Sequence, residues 1–356
     1  MAGARTAAEN AAWAAGVLAP SAEAFLERFG TEEACEAHML RLRYPGGFEC
    51  ERCGGRELAR VGGRREFRCR GCGMQLSATS GTAIASTKLP LTKWFRAAWM
   101  VARDPRGASA QAVARECGVS DATGLAMLRR LRAAMGLAMS ICRVGGDWVE
   151  VDGAHVRCGN DGTAAVGSGP GRTDAPVLVA VSGSRMAIRA TSDLTGGTVE
   201  AFAAAHVSRG HPVRCDEARA HGSLAGGWDA RPARSAADGD TEASLPAVHH
   251  AISNLKAWLV GTFHGVSVGR LQEYADEFSW RYCHRGDDAF AALLLELARW
   301  PRVPLSGIRE VRRAMGPHPY EREPGWKHNW RLRDRWEAAQ AAACAAKTGV
   351  PATGVV

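Results

Sequence analysis

Residues 249–285 read HHAISNLKAWLVGTFHGVSVGRLQEYADEFSWRYCHR, and the organisation of the whole chain turns on how this stretch is interpreted. Two helical patterns, near 249–260 and 268–284, flank a loop containing Gly261, Thr262, His264 and Gly265. Polar groups are dense for segments that also carry Leu255, Trp258, Leu259, Phe263, Leu271, Phe278 and Trp280. Glu277, Arg281 and Arg285 recur every four residues, so they share one side of a helix. Asn254 and Lys256 are two apart, point in different directions and need not serve one partner. Two amphipathic helices with salt-bridged outer faces would account for the stretch taken alone. The segments around it argue for more.

A chain of 356 residues has room for two or three domains. No apolar run is long enough to span a membrane. The net charge of +8 and pI near 9.1 favour a polyanionic partner without specifying which. Residues 11–19 imitate the apolar core of a secretion signal, but the run is alanine-rich and Glu9 precedes it, so a cytoplasmic protein is expected. Of eleven cysteines, four have metal-ligand spacing. The others (Cys35, Cys117, Cys142, Cys158, Cys215, Cys283, Cys344) are scattered, mostly in apolar surroundings, as reduced core thiols would be.

Residues 21–43 predict a helix capped by Ser21 and split at Gly30, within an N-terminal segment ending near residue 45. Cys50-Glu-Arg-Cys53 and Cys69-Arg-Gly-Cys72 follow, fifteen residues apart, and the span 46–80 reads as a zinc ribbon. Two short Cys-x-x-Cys turns each grip a tetrahedral zinc from one side, and four thiolates leave no open position, so the zinc is structural. Between residues 41 and 72 nine arginines face four glutamates, which suits either phosphate contact or a solvated basic surface.

Residues 88–140 read as helical. Ala110–Glu116, a turn at Cys117-Gly118-Val119 and a helix capped by Ser120 give a helix-turn-helix, either DNA-binding or an ordinary hairpin. Arg129, Arg130 and Arg132 on its second helix are candidates for phosphate contact, as are Arg281 and Arg285 further on. From residue 147 the period becomes two. Trp148–Val156 alternates like a strand and carries Asp152. Strands at 177–182 and 186–191, a helix at 198–207 and a strand at 211–216 ending in Asp216 complete an α/β layer over 146–299. The glycine-rich 159–173 and the mixed 221–247 read as loops. Asp152 and Asp216 then meet on adjacent strands. Two carboxylates with a third oxygen ligand from a helix make a site for Mg2+ or Mn2+. Such ions activate a water or 3′-hydroxyl for in-line attack on a phosphodiester, which is the ribonuclease H-like plan.

With these residues in view, the chain resembles the insertion-sequence transposases that have an N-terminal zinc ribbon and a DDE-type catalytic domain, in many of which Asn replaces the third acid. The resemblance runs from Phe25 to Arg285, about three quarters of the chain. It is carried by Phe25–Cys35, the Cys-x-x-Cys pairs, Leu91–Trp94, Val149–Gly153, and above all by His250–Ser267 and Leu271–Tyr282. It implies Asp152, Asp216 and Asn254 as the catalytic triad and magnesium ligands, with Lys256 as the basic residue that orients DNA or the attacking group. Glu273, Asp276 and Glu277 are rival third acids nearby. Residues 300–356, with Trp326, Trp330 and Trp336, have no counterpart in the resemblance, and packing on the core is the expectation for them.

The fold expected is multidomain: a zinc ribbon and a helical helix-turn-helix region, then an α/β ribonuclease H-like domain with a mixed central sheet. The function expected is a transposase that binds its element's ends in double-stranded DNA, cleaves there, and transfers the 3′-hydroxyl to target DNA. It would act as a homo-oligomer on DNA, with no membrane partner. A DNA-binding protein without catalysis (a decayed transposase or a regulator) and a nuclease that cuts without joining are the alternatives.

Overall fold

The protein was analysed as a computed structural model that describes residues 21–62, 65–159, 172–216, 222, 224, 227–232 and 245–302. The signal-like run 11–19, most of the glycine-rich loop and of 221–247, and the tryptophans beyond residue 302 lie outside the described residues. Among those described, the chain forms two compact units: residues up to Phe95 with Leu297–Arg302, and Arg96–Glu296.

In the first unit, α1 (Ala22–Phe29) and α2 (Glu32–Arg43) start at Ser21 and Thr31, whose hydroxyls accept from the amides of Ala24 and Ala34. The expected break at Gly30 falls between them. Phe25, Phe29, Met39 and Phe95 form the buried apolar centre, with the Phe29 and Phe95 rings 5.2 Å apart. Helix α3 (Leu91–Arg103) begins in this unit. The Glu32 carboxylate accepts from the Leu91 and Thr92 amides at 2.8 and 3.2 Å, capping α3 from 59 residues away in sequence. Strands β1 (Leu58–Arg60), β2 (Phe67–Cys69) and β3 (Gln75–Leu76) form a small antiparallel sheet.

The second unit continues from α3 into α4 (Ala110–Cys117) and α5 (Asp121–Ser140). Ser109 and Ser120 cap the two helices, and Gly118 takes the left-handed conformation between them. The helices cross closely because Gly124 has no side chain; a Cβ there would lie 2.7 Å from the Ala110 carbonyl oxygen. A five-stranded mixed sheet follows, in the order β6-β5-β4-β7-β8. β4 (Val149–Gly159), β5 (Arg172–Ser182) and β6 (Arg185–Ala190) are antiparallel; β7 (Pro212–Cys215) and β8 (Asp229–Pro232) run parallel to β4. Strand β8 corrects the reading of 221–247 as loop throughout. Four residues ending in proline give no alternation to recognise, and such a strand suits the sheet edge it occupies.

Side chains on the two sheet faces build two cores. Val149, Val151, Val213 and Cys215 pack with Val199 and Phe202 of α6 (Gly196–His206). Val156, Val177, Val179 and Val181 pack on the other face, with Val248, Ile252, Leu255 and Leu259 of α7 (Pro246–Phe263) and Leu271 and Ala275 of α8 (Leu271–Cys283). Helix α9 (Ala289–Arg299) completes the described chain. The described cysteines are free thiols, and Cys142 and Cys283 are hydrogen-bonded to each other beside Arg185.

Helix α8 is held to α5 by buried charge. Arg129 bonds Glu273 at 3.2 Å, and Arg132 bonds Glu277 at 2.7 Å with both side chains almost wholly enclosed. Glu277 also accepts from Arg281, whose guanidinium reaches the Asp104 and Val101 carbonyls. The Arg132 guanidinium lies 3.9 Å from the centre of the Tyr274 ring. Gly136 allows the close approach, since a Cβ there would sit 2.5 Å from Asp276 Oδ2. Burial alone would push the Glu277 carboxyl up; Arg132 and Arg281 outweigh it and hold it below the ordinary carboxylate range. A carboxyl lowered in the folded state contributes stability above its unfolded pKa and loses that contribution as pH falls towards the folded one.

Glu277→Gln is therefore expected to cost roughly 3–5 kcal/mol at neutral pH, because it removes the carboxylate that two inward-turned arginines share. Urea unfolding would measure it. The wild type should weaken below about pH 4.3, and the Glu277 share of that loss should be missing from the variant. Pairing Arg132→Met with Glu277→Leu should cost less than Glu277→Gln alone.

Candidate active site and metal centres

The parallel register of β4 and β7 sets Val151 opposite Cys215. One residue further along the chain stand Asp152, within β4, and Asp216, just past the end of β7. Val151 faces the α6 core, so Asp152 faces the α7 side of the sheet, while Asp216 directly follows the last residue of β7. Neighbouring strands are about 4.8 Å apart, so one cation can be held between the two carboxylates. Both charges reach the same thiol: burial first, then Asp216 and Asp152, push Cys215 up to about 11. Asp152 Oδ1 accepts the Gly153 amide at 2.7 Å, while Oδ2 lies 3.3 Å from Nε2 of His249.

The start of α7 is fixed to the same strand. Pro246 occupies its first turn, and Leu245 offers no side-chain cap. The Val248 amide instead donates to the buried carboxylate of Glu150 at 2.9 Å. Glu150 is two residues before Asp152 on the same face of β4, so the strand that carries the acid also caps the helix above it.

This cap settles which helix flank meets the acids. His249 is at Asp152. Lys256, seven residues on, returns to within about 20° of His249 and is exposed. Asn254, five residues on, is about 140° round from His249. Trp258 lies on the Asn254 side of the helix, and its ring meets Tyr274 and Phe278 of α8 at 6.3 and 5.6 Å. Asn254 itself is exposed, and the expectation had it beside Asp152 and Asp216. His249 and Glu150 went unrecognised in the sequence, although the seven-residue interval to Lys256 and the two-residue interval to Asp152 were both visible.

The rival acids are otherwise engaged. Glu273 and Glu277 pair with arginines, and Asp276 accepts from Gln272 Nε2 at 2.7 Å. The same pairings correct the expectation for three of the five arginines. Arg129, Arg132 and Arg281 are turned inward onto carboxylates and carbonyls, because four-residue spacing reveals a shared helix side but not whether that side faces solvent. Arg130 is partly exposed. Arg285 is exposed, with its guanidinium 3.5 Å from the centre of the Tyr282 ring.

In the first unit the Sγ atoms of Cys50, Cys53, Cys69 and Cys72 lie within 4.8 Å of one another. Cys50 to Cys72 and Cys53 to Cys69 are each 3.6 Å. A tetrahedral zinc with Zn–S near 2.3 Å separates its sulfurs by about 3.8 Å, so the four thiols fit it. Burial would push the Cys50 thiol up, but the Arg52 and Cys53 amides and the neighbouring thiols bring it down to about 7.

Residues 144–282 match the family model described as an ISXO2-like transposase domain, and residues 30–75 match a transposase zinc-ribbon domain. The chain belongs to the insertion-sequence transposases with an N-terminal zinc ribbon. No curated protein matches it. The first match encloses the whole sheet with α6, α7 and nearly all of α8, and the second encloses all four zinc-site cysteines. The transposase thus combines a zinc ribbon with a mixed-sheet, ribonuclease H-like domain, as its sequence leads one to expect. None of its described helices is long and apolar enough to cross a membrane.

Four outcomes are expected. Cys69→Ser should reduce bound zinc from about one per chain to background in elemental analysis, since a three-thiolate site with an open position binds weakly. Acidification should release zinc from the wild type, as protons compete for the thiolates. Glu150→Ala should destabilise the second unit by about 1–2 kcal/mol in urea unfolding, because the buried Val248 amide loses its acceptor. Glu150→Gln should retain most of that stability.

Proposed function

We propose that this transposase binds the ends of its element, cleaves a strand there, and joins the freed 3′-hydroxyl to target DNA in a reaction that requires Mg2+ or Mn2+. The observation that supports the reading is the β4–β7 register, which sets the residues just before Asp152 and Asp216 opposite each other in the domain matched as a transposase. These two carboxylates would hold the cation. Once bound, it would supply activation of the attacking oxygen and stabilisation of the leaving one. Water and a terminal hydroxyl are interchangeable nucleophiles in that in-line geometry, so one site serves both steps.

The protein's own groups divide the remaining work. Asp152 is oriented by the Gly153 amide and faces His249. Lys256, exposed on the same flank of α7, is suited to a phosphate beside the scissile bond. Arg285 and Arg130 are the arginines of the second unit that we assign to more distant backbone contacts. Exposed Arg52 and Arg68 are the corresponding pair on the zinc ribbon. Two ends must be held at once, so the active form is taken to be an oligomer assembled on DNA.

A labelled, pre-cut end from the DNA flanking the gene would be incubated with target DNA and Mg2+ or Mn2+. Wild type is expected to give joined products. Asp152→Ala and Asp216→Ala should each reduce joining by on the order of 1000-fold or more, the scale of losing a principal transition-state stabiliser. Tight end binding without joining in either metal would favour the binding-only alternative. Cleavage without joining would favour the nuclease.

A further inference from the structure

We propose that Cys142 and Cys283 form a reactive dithiol, which hydrogen peroxide closes to a disulfide joining the C-terminal ends of α5 and α8. Nothing in it depends on the metal-dependent reading above.

The charge layer brings the two thiols together. Arg129 meets Glu273 and Arg132 meets Glu277, so α5 and α8 run side by side in the same direction. Cys142, two residues past α5, is hydrogen-bonded to Cys283, the last residue of α8. An S–S bond is about 2.05 Å long, so closure asks for a shift of roughly 1.5 Å. Cys142 stands beyond the Ile141 cap, outside the regular helix, where side-chain rotation can supply much of that shift.

Solvent reaches the pair. Among the described cysteines outside the zinc ribbon, these two are half-buried, whereas Cys35, Cys117, Cys158 and Cys215 are buried. Burial pushes Cys35, Cys158 and Cys215 up to about 12, 11 and 11, which leaves them almost without thiolate at neutral pH.

The surroundings divide the roles. Arg185, at the start of β6, directs Nη1 at Cys142 Sγ from 3.8 Å. Cys283 Sγ accepts the Met186 amide at 3.3 Å and has the Met186 carbonyl within 3.5 Å as an acceptor for its proton. The bond from Cys283 brings the Cys142 thiol down, with Arg185 adding to it against burial; the same bond and burial push Cys283 up. Cys142 is therefore the attacking thiolate and Cys283 the resolving thiol.

The Cys142 thiolate attacks one peroxide oxygen and the O–O bond breaks. Hydroxide leaves and takes up a proton as water, and Cys142 becomes a sulfenic acid. Cys283 then attacks that sulfur. Its proton and the sulfenic hydroxyl leave as a second water, and the S–S bond forms. The two sulfurs together lose two electrons, and one peroxide gains them.

Full-length, zinc-loaded protein would be treated with hydrogen peroxide at neutral pH, digested without reductant and mapped by mass spectrometry. Wild type is expected to give a linked Cys142–Cys283 peptide before any other cysteine oxidises, and dithiothreitol should abolish it. Dimedone, which adds to sulfenic acids, should label Cys142 in Cys283→Ser and leave Cys283 unlabelled in Cys142→Ser. Arg185→Met should slow the linkage by roughly tenfold through loss of thiolate. The wild-type map needs no substitution, so it decides the matter even where a variant folds poorly. Oxidation that begins at the zinc-ribbon cysteines, or a Cys142 that stays reduced or links elsewhere, Cys344 included, would overturn the proposal.

Discussion

The carboxylate of Glu150, buried and bonded to the Val248 amide, is the constraint from which the geometry around the acids follows. A helix that begins with proline and has no capping side chain of its own has amide groups at its start that need an acceptor. Here the acceptor comes from a strand 98 residues earlier. That single bond ties the rotation of α7 to β4, and β4 in turn carries Asp152. Were the helix capped locally, it could turn on the sheet without breaking a hydrogen bond, and the flank presented to the acids would be set by apolar packing alone. In the first unit Glu32 does the equivalent for α3. Both units therefore fix a helix with a carboxylate distant in sequence.

The layer between α5 and α8 is a second rigid element, built from charge. Arg129, Arg132, Glu273, Glu277 and Arg281 are withdrawn from solvent to a degree that only mutual pairing makes tolerable. Such a layer gains little over apolar packing in stability, but it is intolerant of sliding, since a shift of one turn would separate every pair. It also changes how the basic composition of the chain is understood. Much of the arginine in this region neutralises internal acid, and on the zinc ribbon Arg60 pairs with Glu36 and Arg65 with Glu32. The exposed N-terminal turn of α5 carries Asp121, not arginine.

What the sequence made legible were features whose chemistry is local. Two Cys-x-x-Cys pairs state their own geometry, and alternation around Asp152 and before Asp216 identifies the strands that position these acids. Serines 21 and 120 mark helix starts because the capping bond spans three residues. Relations between distant segments were not legible. Arg129 and Arg132 looked like phosphate ligands because their partners Glu273 and Glu277 lie 144 and 145 residues away. Asn254 was assigned to the site through the family resemblance alone, by its interval to Lys256. Which flank of α7 faces the acids depends on the Glu150 cap, and no pattern within residues 249–285 contains that information.

In the proposed metal site a third donor from α7 would be His249 or Asn254, and neither is a carboxylate. There Asp152 and Asp216 would bring two negative charges, enough to balance one divalent cation. A third carboxylate would leave the site with excess negative charge as it receives a phosphodiester, and that repulsion falls with an uncharged third donor. What separates the two residues is rigidity. Asn254 is exposed about 140° round the helix from His249. An imidazole one residue beyond a capped amide is already within 3.3 Å of a carboxylate. Donors held near their final geometry lose little freedom when the metal and DNA arrive. The helix cap, the strand register and the histidine thus act as one preorganised unit.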